Sequence, residues 1–232
     1  MKAYEIKTIR SNGVNCYLIA SGDGGFILID SGLSMGRSHL VKELETADCV
    51  PGKLNLIVIT HADSDHTGNA AFLRNRYAAK IAIHPAEVKA VESGNMLDNR
   101  KKSQAFLTRA IFSITRIGKP NRFTPDFTVE DGQDLSHYGV DARVVHLPGH
   151  TNGEIGILVA PGAPSADSGQ VLFCGDMLME NKKGLRFGYG DPLDFRESLE
   201  KLNGLDIKMF YPGHGDPFSM ETFREFYQAT SK

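Results

Sequence analysis

His61-Ala62-Asp63-Ser64-Asp65-His66 follows directly on the apolar run Leu56-Ile57-Val58-Ile59, and this junction decides how the chain is read. Four side chains able to bind a metal stand within six residues, at the exit of what the run marks as a buried strand. Packing does not explain that density. His61 and Asp63 are two apart, so an extended segment points them to the same side. Asp65 and His66 fall where the chain is expected to turn into a helix starting near Thr67-Gly68-Asn69. Such a segment can serve two adjacent metals.

Three further junctions repeat the pattern. Val144-Val145-His146-Leu147 leads into Pro148-Gly149-His150-Thr151, Val171-Leu172-Phe173-Cys174 into Gly175-Asp176, and Ile207-Lys208-Met209-Phe210 into Pro212-Gly213-His214-Gly215. In layered α/β architectures the loops leaving strand C-termini gather along one edge, where sites are built. His61, Asp63, Asp65, His66, His150, Asp176 and His214 are therefore expected to converge. A single His or Asp after a strand is ordinarily a turn or cap residue; seven of them in one setting are not explained that way. An EF-hand reading of 63–74 fails because Arg74 stands where the loop needs Glu. Gly188-Tyr189-Gly190 lacks the third Gly of a dinucleotide loop and has Pro192 where its helix should open, and no P-loop, HExxH or GxSxG occurs.

Working outward, the 232 residues suit one domain spanning 1–232. Gly and Pro make up roughly 15% of the chain, well below the level at which disorder is the default reading. The net charge is −2 and the charges are interspersed, which argues against a nucleic-acid footprint. No apolar run approaches a membrane span and the N-terminus lacks a signal-peptide pattern, so a cytoplasmic protein acting on a small molecule is expected. Nothing in the sequence speaks to oligomeric state. Cys16, Cys49 and Cys174 are widely spaced and form no CxxC, so they read as buried thiols.

Strand patterns cover 3–10, 15–20, 25–30, 54–60 and 80–83, with helical periodicity over 37–47, 97–117, 195–202 (capped by Asp194) and 220–228. The turn-rich stretch 161–169 lies between the apolar runs 155–159 and 171–174, like a long hairpin loop. Consecutive early strands joined by short Gly-containing turns exclude a purely parallel doubly wound sheet and favour a layered mixed fold.

These residues resemble the metallo-β-lactamase superfamily over essentially the whole length. The matching stretches are Val14-Asn15-Cys16-Tyr17-Leu18-Ile19, Ile29-Asp30-Ser31-Gly32, Thr60 to Gly68, Pro148-Gly149-His150-Thr151, Cys174-Gly175-Asp176 and Pro212-Gly213-His214-Gly215. The resemblance implies an α+β fold, a four-layer αββα sandwich with a dinuclear metal site on one edge. Carried over by position, His61, Asp63 and His150 would hold one ion, Asp65, His66 and His214 the other, and Asp176 would bridge them, with Asp30 in support nearby. Two divalent ions are implied, zinc first, with iron or manganese as alternatives because the usual HxHxDH motif here reads HxDxDH. Flavodiiron members and some phosphorylcholine esterases resemble the chain in carrying an acidic residue at the position of Asp63. Counting Asp63, Asp65 and Asp176 against two divalent ions leaves a site less positive than a His version, which favours harder ions. On that count Asp63→His lowers the kinetic pKa of hydrolysis.

The reaction so implied is hydrolysis of an ester, thioester, lactone or phosphoester by a hydroxide bridging the ions, oriented by Asp65 as the catalytic carboxylate. Arg186, Phe187 and Tyr189 are candidate substrate contacts, and the segments 87–121 and 179–191 are candidate specificity regions, the Phe106 helix either capping the pocket or padding the sandwich. The rival classes are a diiron oxidoreductase of flavodiiron type without a flavodoxin domain, and a metal-binding regulatory module without turnover. Asp176 in place of Cys at the bridging position resembles the glyoxalase II and lactonase branches rather than the β-lactamases. His84 has no partner motif and reads as structural or supporting, and His39, His137 and His146 read as ordinary histidines.

Overall fold

The computed structural model describes residues 5–100, 122–160 and 169–230. The expected helix over 97–117, with Phe106, lies largely outside the described residues, as does nearly all of the 161–169 loop.

The described residues form thirteen strands and six α-helices, with runs of consecutive strands at the start and middle of the chain. The first sheet runs β1 (Ile6–Ser11), β2 (Val14–Ala20), β3 (Phe26–Ile29), β4 (Leu54–Val58), β5 (Lys80–Ile83) and β6 (Phe127–Thr128), in that spatial order. Its first three strands pair antiparallel and the remainder parallel. The antiparallel start follows from the tight turn at Asn12-Gly13, where both residues have positive φ, 55° and 82°. The second sheet has the order β13 (Phe218–Ser219), β12 (Ile207–Tyr211), β9 (Gln170–Phe173), β8 (Ile155–Val159) and β7 (Ala142–His146). A separate hairpin joins β10 (Leu178–Asn181) to β11 (Gly184–Phe187).

Period-2 alternation divides the side chains into layers. In β4, Leu56 and Val58 face the other sheet, joining Tyr17, Ile27, Ile29, Val144, Ile157 and Phe173 in the central core. Ile57 and the following Ile59 face outward. There they pack with α1 (Arg37–Thr46), α3 (Ala70–Tyr77) and α4 (Pro85–Ser93) through Leu40, Leu44, Leu73, Tyr77 and Ala90. On the second sheet Leu158, Leu172 and Phe210 face outward onto α5 (Pro192–Asn203) and α6 (Met220–Thr230), meeting Phe195, Leu199, Leu202 and Phe223. The result is the α+β, four-layer αββα sandwich expected from the sequence.

Two local readings are revised. The short α2 (Ser64–Thr67) begins three residues before the expected start, with Asp63 at its N-terminal boundary; the Asp63 carbonyl accepts from both His66 N and Thr67 N. Asp65 and His66 therefore ride on a helical turn. Asp191, not Asp194, caps α5: its side chain accepts from Leu193 N, and Pro192 occupies the first helical position, where its missing N–H costs nothing.

Phe173 is fully buried between the sheets, its ring centroid 5.0 Å from that of Tyr17 and 5.1 Å from that of Tyr211. Phe173→Ala should lower the unfolding free energy by about 3–5 kcal/mol, read from urea denaturation. A loss below about 1 kcal/mol would mean that this layer is not tightly packed.

Candidate metal centre

The seven residues arrive from four loops at one edge of the sandwich. His61 follows β4, Asp63, Asp65 and His66 lie on and before α2, His150 sits between β7 and β8, Asp176 follows β9 and His214 follows β12. Their ligating atoms form three overlapping clusters, His61/Asp63/His150, His61/His66/Asp176 and Asp65/His66/His214, each within 4.8 Å. His66 Nε2 lies 3.4 Å from Asp176 Oδ1, and His214 Nε2 lies 3.3 Å from both Asp176 Oδ2 and Asp65 Oδ2. Across the site, Asp63 Oδ2 is 3.2 Å from His150 Nε2 and 3.7 Å from His61 Nε2. His150 Nε2 stands 4.0 Å from Asp176 Oδ2, so Asp176 lies between the two halves.

Each of the four histidines is anchored through Nδ1. His66 Nδ1 contacts Asp30 Oδ2 at 2.8 Å, His61 Nδ1 contacts Thr60 Oγ1 at 3.0 Å, His150 Nδ1 donates to Tyr189 O at 2.7 Å and His214 Nδ1 to Gly13 O at 2.7 Å. The four Nε2 atoms are thus left facing the site. This is the tautomer and orientation that metal-bound imidazoles require. His61 Nε2, His66 Nε2 and Asp176 Oδ1 are buried with no hydrogen-bond partner among the described residues. Buried polar atoms are rarely left so, and a cation between them would satisfy all three.

Asp30 sets the first half of this arrangement. It has a positive φ of 59° just past β3, and its carboxylate accepts from Thr60 N at 2.8 Å and Thr60 Oγ1 at 2.9 Å while meeting His66. The turn carrying Asp65 and His66 is held by Ser31 N and Oγ donating to His66 O, and by Asn69 Nδ2 donating to Ser31 O. Gly68 permits this approach, since a Cβ there would come within 2.6 Å of Gly32 O.

Three charged residues escaped the sequence reading. Glu87, fully buried on α4, accepts from Ala62 N at 2.8 Å and Gly153 N at 2.9 Å, tying the His61 loop to the His150 loop. Glu154, fully buried before β8, accepts from Asp176 N. Burial pushes both carboxyls above their ordinary range. Arg100, also buried, grips Asp63 with both terminal nitrogens at 2.8 and 2.6 Å. Its signal was weak: one Arg inside the candidate specificity region 87–121, in no motif. Arg100 offsets the charge of Asp63 in the wild-type site, and Asp63→His would leave that guanidinium without its carboxylate.

The candidate substrate contacts divide. Tyr189 reaches the site through its carbonyl on His150, while its side chain is exposed. Phe187 packs on Phe195 and Phe226 and walls a groove of about 460 Å³ with Leu193, Arg196 and Tyr227. Arg186 lies on the β10–β11 hairpin with its guanidinium 3.9 Å from Met179 Sδ. His84 caps α4, its Nδ1 accepting from Ala86 N, and stacks on His146 at 4.4 Å.

The metallo-beta-lactamase superfamily profile matches residues 10–214. The chain belongs to that superfamily. It is 30% identical to an uncharacterized protein of Mycobacterium leprae, over 91% of each chain. It is 27% identical to hydroxyacylglutathione hydrolase GloC of Haemophilus influenzae, over 91% of this chain and 90% of that one. Among solved structures, the metallo-beta-lactamase GOB-18 of Elizabethkingia meningoseptica superposes with a TM-score of 0.72 at 18% identity, over 98% of this chain and 86% of that one, which speaks to fold. Among the described residues no helix is long and apolar enough to cross a membrane.

The protonation pattern makes a prediction. Burial opposes charge on His66 and His214, but the Asp176 carboxylate, with Asp30 and Asp65 behind it at His66 and Asp65 at His214, outweighs it, raising His66 well above the usual range and His214 to about 10. Without metal both therefore carry a proton at pH 7.5, whereas ligation needs them neutral. Uptake of a divalent ion at pH 7.5 should release about two protons, and affinity should climb as pH rises toward 10. Calorimetry in buffers of different ionisation enthalpy measures this; uptake without proton release would show that these histidines are not ligands.

Proposed function

We propose that the chain is a metal-dependent hydrolase of small ester, thioester, lactone or phosphoester substrates, built on the centre of His61, Asp63, Asp65, His66, His150, Asp176 and His214. The carrying observation is the set of four histidines tethered through Nδ1 so that Nε2 faces the site, with three of the buried atoms there lacking a hydrogen-bond partner among the described residues. An imidazole and carboxylate donor set suits zinc, and also iron or manganese. Superfamily membership and the hydroxyacylglutathione hydrolase relative support the reading, and make hydroxyacyl thioesters the first class to assay.

When bound, a divalent cation supplies Lewis acidity, polarising the scissile carbonyl or phosphoryl oxygen and acidifying water. The chain's own residues do the rest. Asp65 is half-buried at the mouth of the site, its Oδ2 3.3 Å from His214 Nε2, where it can orient the attacking water and take its proton. Asp176 holds His66 and His214 in place by ion pairing. Asp30 and Thr60 fix the His66 and His61 rings, so little reorganisation is needed during turnover. The three cysteines do not compete for this role, because burial raises the Cys16, Cys49 and Cys174 thiols far from their reactive form. The groove walled by Phe187 and Leu193, with Arg196 at its side, offers an apolar surface and one cation for an acyl group or anionic tail.

The iron-based oxidoreductase drew its support from the acidic residue at position 63. In this structure both Asp63 oxygens accept from Arg100, an ion pair that accounts for an acidic residue there without iron.

Stripping metal should abolish turnover of a hydroxyacyl thioester and zinc should restore it, while Asp65→Asn should cut kcat by about 10²-fold or more with the circular dichroism spectrum unchanged. Turnover that survives chelation would overturn the metal-dependent reading, and an Asp65→Asn variant retaining most of its kcat would remove Asp65 from the chemistry.

A further inference from the structure

The two halves of the centre are not equivalent. Around Asp65, His66, His214 and Asp176 the donors comprise two carboxylates and two imidazoles, with His66 Nε2 and Asp176 Oδ1 lacking any hydrogen-bond partner among the described residues. Around His61, Asp63 and His150 a cation is already built in. Arg100 Nη1 donates to Asp63 Oδ1 at 2.8 Å and Nη2 to Asp63 Oδ2 at 2.6 Å, while Nη2 also lies 3.2 Å from His150 Nε2. The guanidinium is fixed from behind as well, Nη1 donating to Met96 O at 2.7 Å and to Asn99 Oδ1 at 3.1 Å. Asn99 in turn donates to Glu87, the residue that ties the His61 and His150 loops together. The residue is only 8% exposed, so this is a packed fixture of the site and no wandering surface arginine.

Lone pairs decide what this fixture permits. His150 donates through Nδ1 to Tyr189 O, so a neutral ring keeps one lone pair, at Nε2, which lies 3.2 Å both from the donor Arg100 Nη2 and from Asp63 Oδ2. A metal in this half would need that same lone pair and an oxygen of Asp63, and would face a guanidinium that cannot shed its charge. Asp63 is the only carboxylate in the His61/Asp63/His150 cluster, and its charge is already matched by Arg100 in bidentate geometry. Resting on the metal-centre reading above, we propose that Arg100 acts as the second cation of this centre: the guanidinium occupies the Asp63/His150 side, and the chain holds one divalent ion, among Asp65, His66, His214 and Asp176, which the unpartnered His61 Nε2 also faces. The HxDxDH motif is then explained by the arginine, since a carboxylate at position 63 suits a guanidinium where an imidazole would suit a metal. Arg100 is a positioning residue here, holding Asp63 and His150 in a fixed, charge-neutral arrangement.

The test is stoichiometry. Wild type, Arg100→Ala and Arg100→Lys are stripped, loaded with excess Mn(II), desalted and assayed by elemental analysis and electron paramagnetic resonance. The expected result is one ion per chain in wild type with the six-line spectrum of isolated Mn(II), and two ions with an exchange-coupled spectrum in Arg100→Ala. Arg100→Lys, which keeps the charge but not the fork, should load the second ion more weakly than Arg100→Ala. Two ions with a coupled spectrum in wild type would overturn the proposal while leaving the hydrolase reading intact. One ion in both wild type and a folded Arg100→Ala would remove the role given to Arg100, and no ion in wild type would overturn both readings. Should Arg100→Ala fail to fold, the wild-type count and spectrum still decide the matter.

Discussion

A single buried carboxylate, that of Asp30, aligns the metal centre. It accepts from the Thr60 backbone and hydroxyl at the end of one strand and meets His66 Nδ1 on the neighbouring helical turn. Through Thr60 Oγ1 its influence extends to His61 Nδ1, so one side chain governs two of the four imidazoles. Its left-handed backbone conformation is tolerated because the pairing of β3 with β4 and the contacts of Ser31 and Asn69 over-determine the turn. A short charge-assisted network in a low-dielectric interior is directional and stiff, which is what preorganised chemistry requires.

The rest of the site is an exercise in compensating buried charge. Five acidic residues, Asp30, Asp63, Glu87, Glu154 and Asp176, lie almost wholly inside the protein around it. An isolated carboxylate there would be prohibitively costly, and each finds a different remedy. Asp63 is matched by Arg100, Asp30 and Asp176 by His66 and His214, and Glu87 and Glu154 by backbone amides and a raised pKa. The same residues are the struts between loops, because an amide donor from a neighbouring loop is the cheapest remedy for a buried carboxylate. Charge compensation and loop positioning are thus one device.

Much of this was legible in the sequence because the informative residues are local. Strand exits marked by apolar runs, glycines and a clustered His/Asp motif placed seven side chains at one edge, and the structure gathers them there. The layered architecture followed from hairpin turns at Asn12-Gly13 and period-2 runs such as 54–58. What stayed hidden is long-range. Arg100, Glu87 and Glu154 stand outside any motif, and their importance arises only once α4 and the strand exits are packed together. Glu154 did leave one trace, as a carboxylate abutting the apolar run Ile155 to Val159 with no helix to carry it. Asp191 caps the helix where Asp194 is expected, because Pro192 at the first helical position opens it three residues before Phe195, the start that the apolar pattern marks. Charge counting from the motif alone leaves out Arg100, which pairs with Asp63 from outside the motif.

The account stands or falls on where a cation sits. Crystals of zinc-loaded protein measured on both sides of the zinc absorption edge give that position directly from the anomalous difference map. The account predicts a peak about 2.0–2.2 Å from His66 Nε2, His214 Nε2 and an Asp176 oxygen. Loaded crystals with no anomalous peak bounded by these atoms would contradict it.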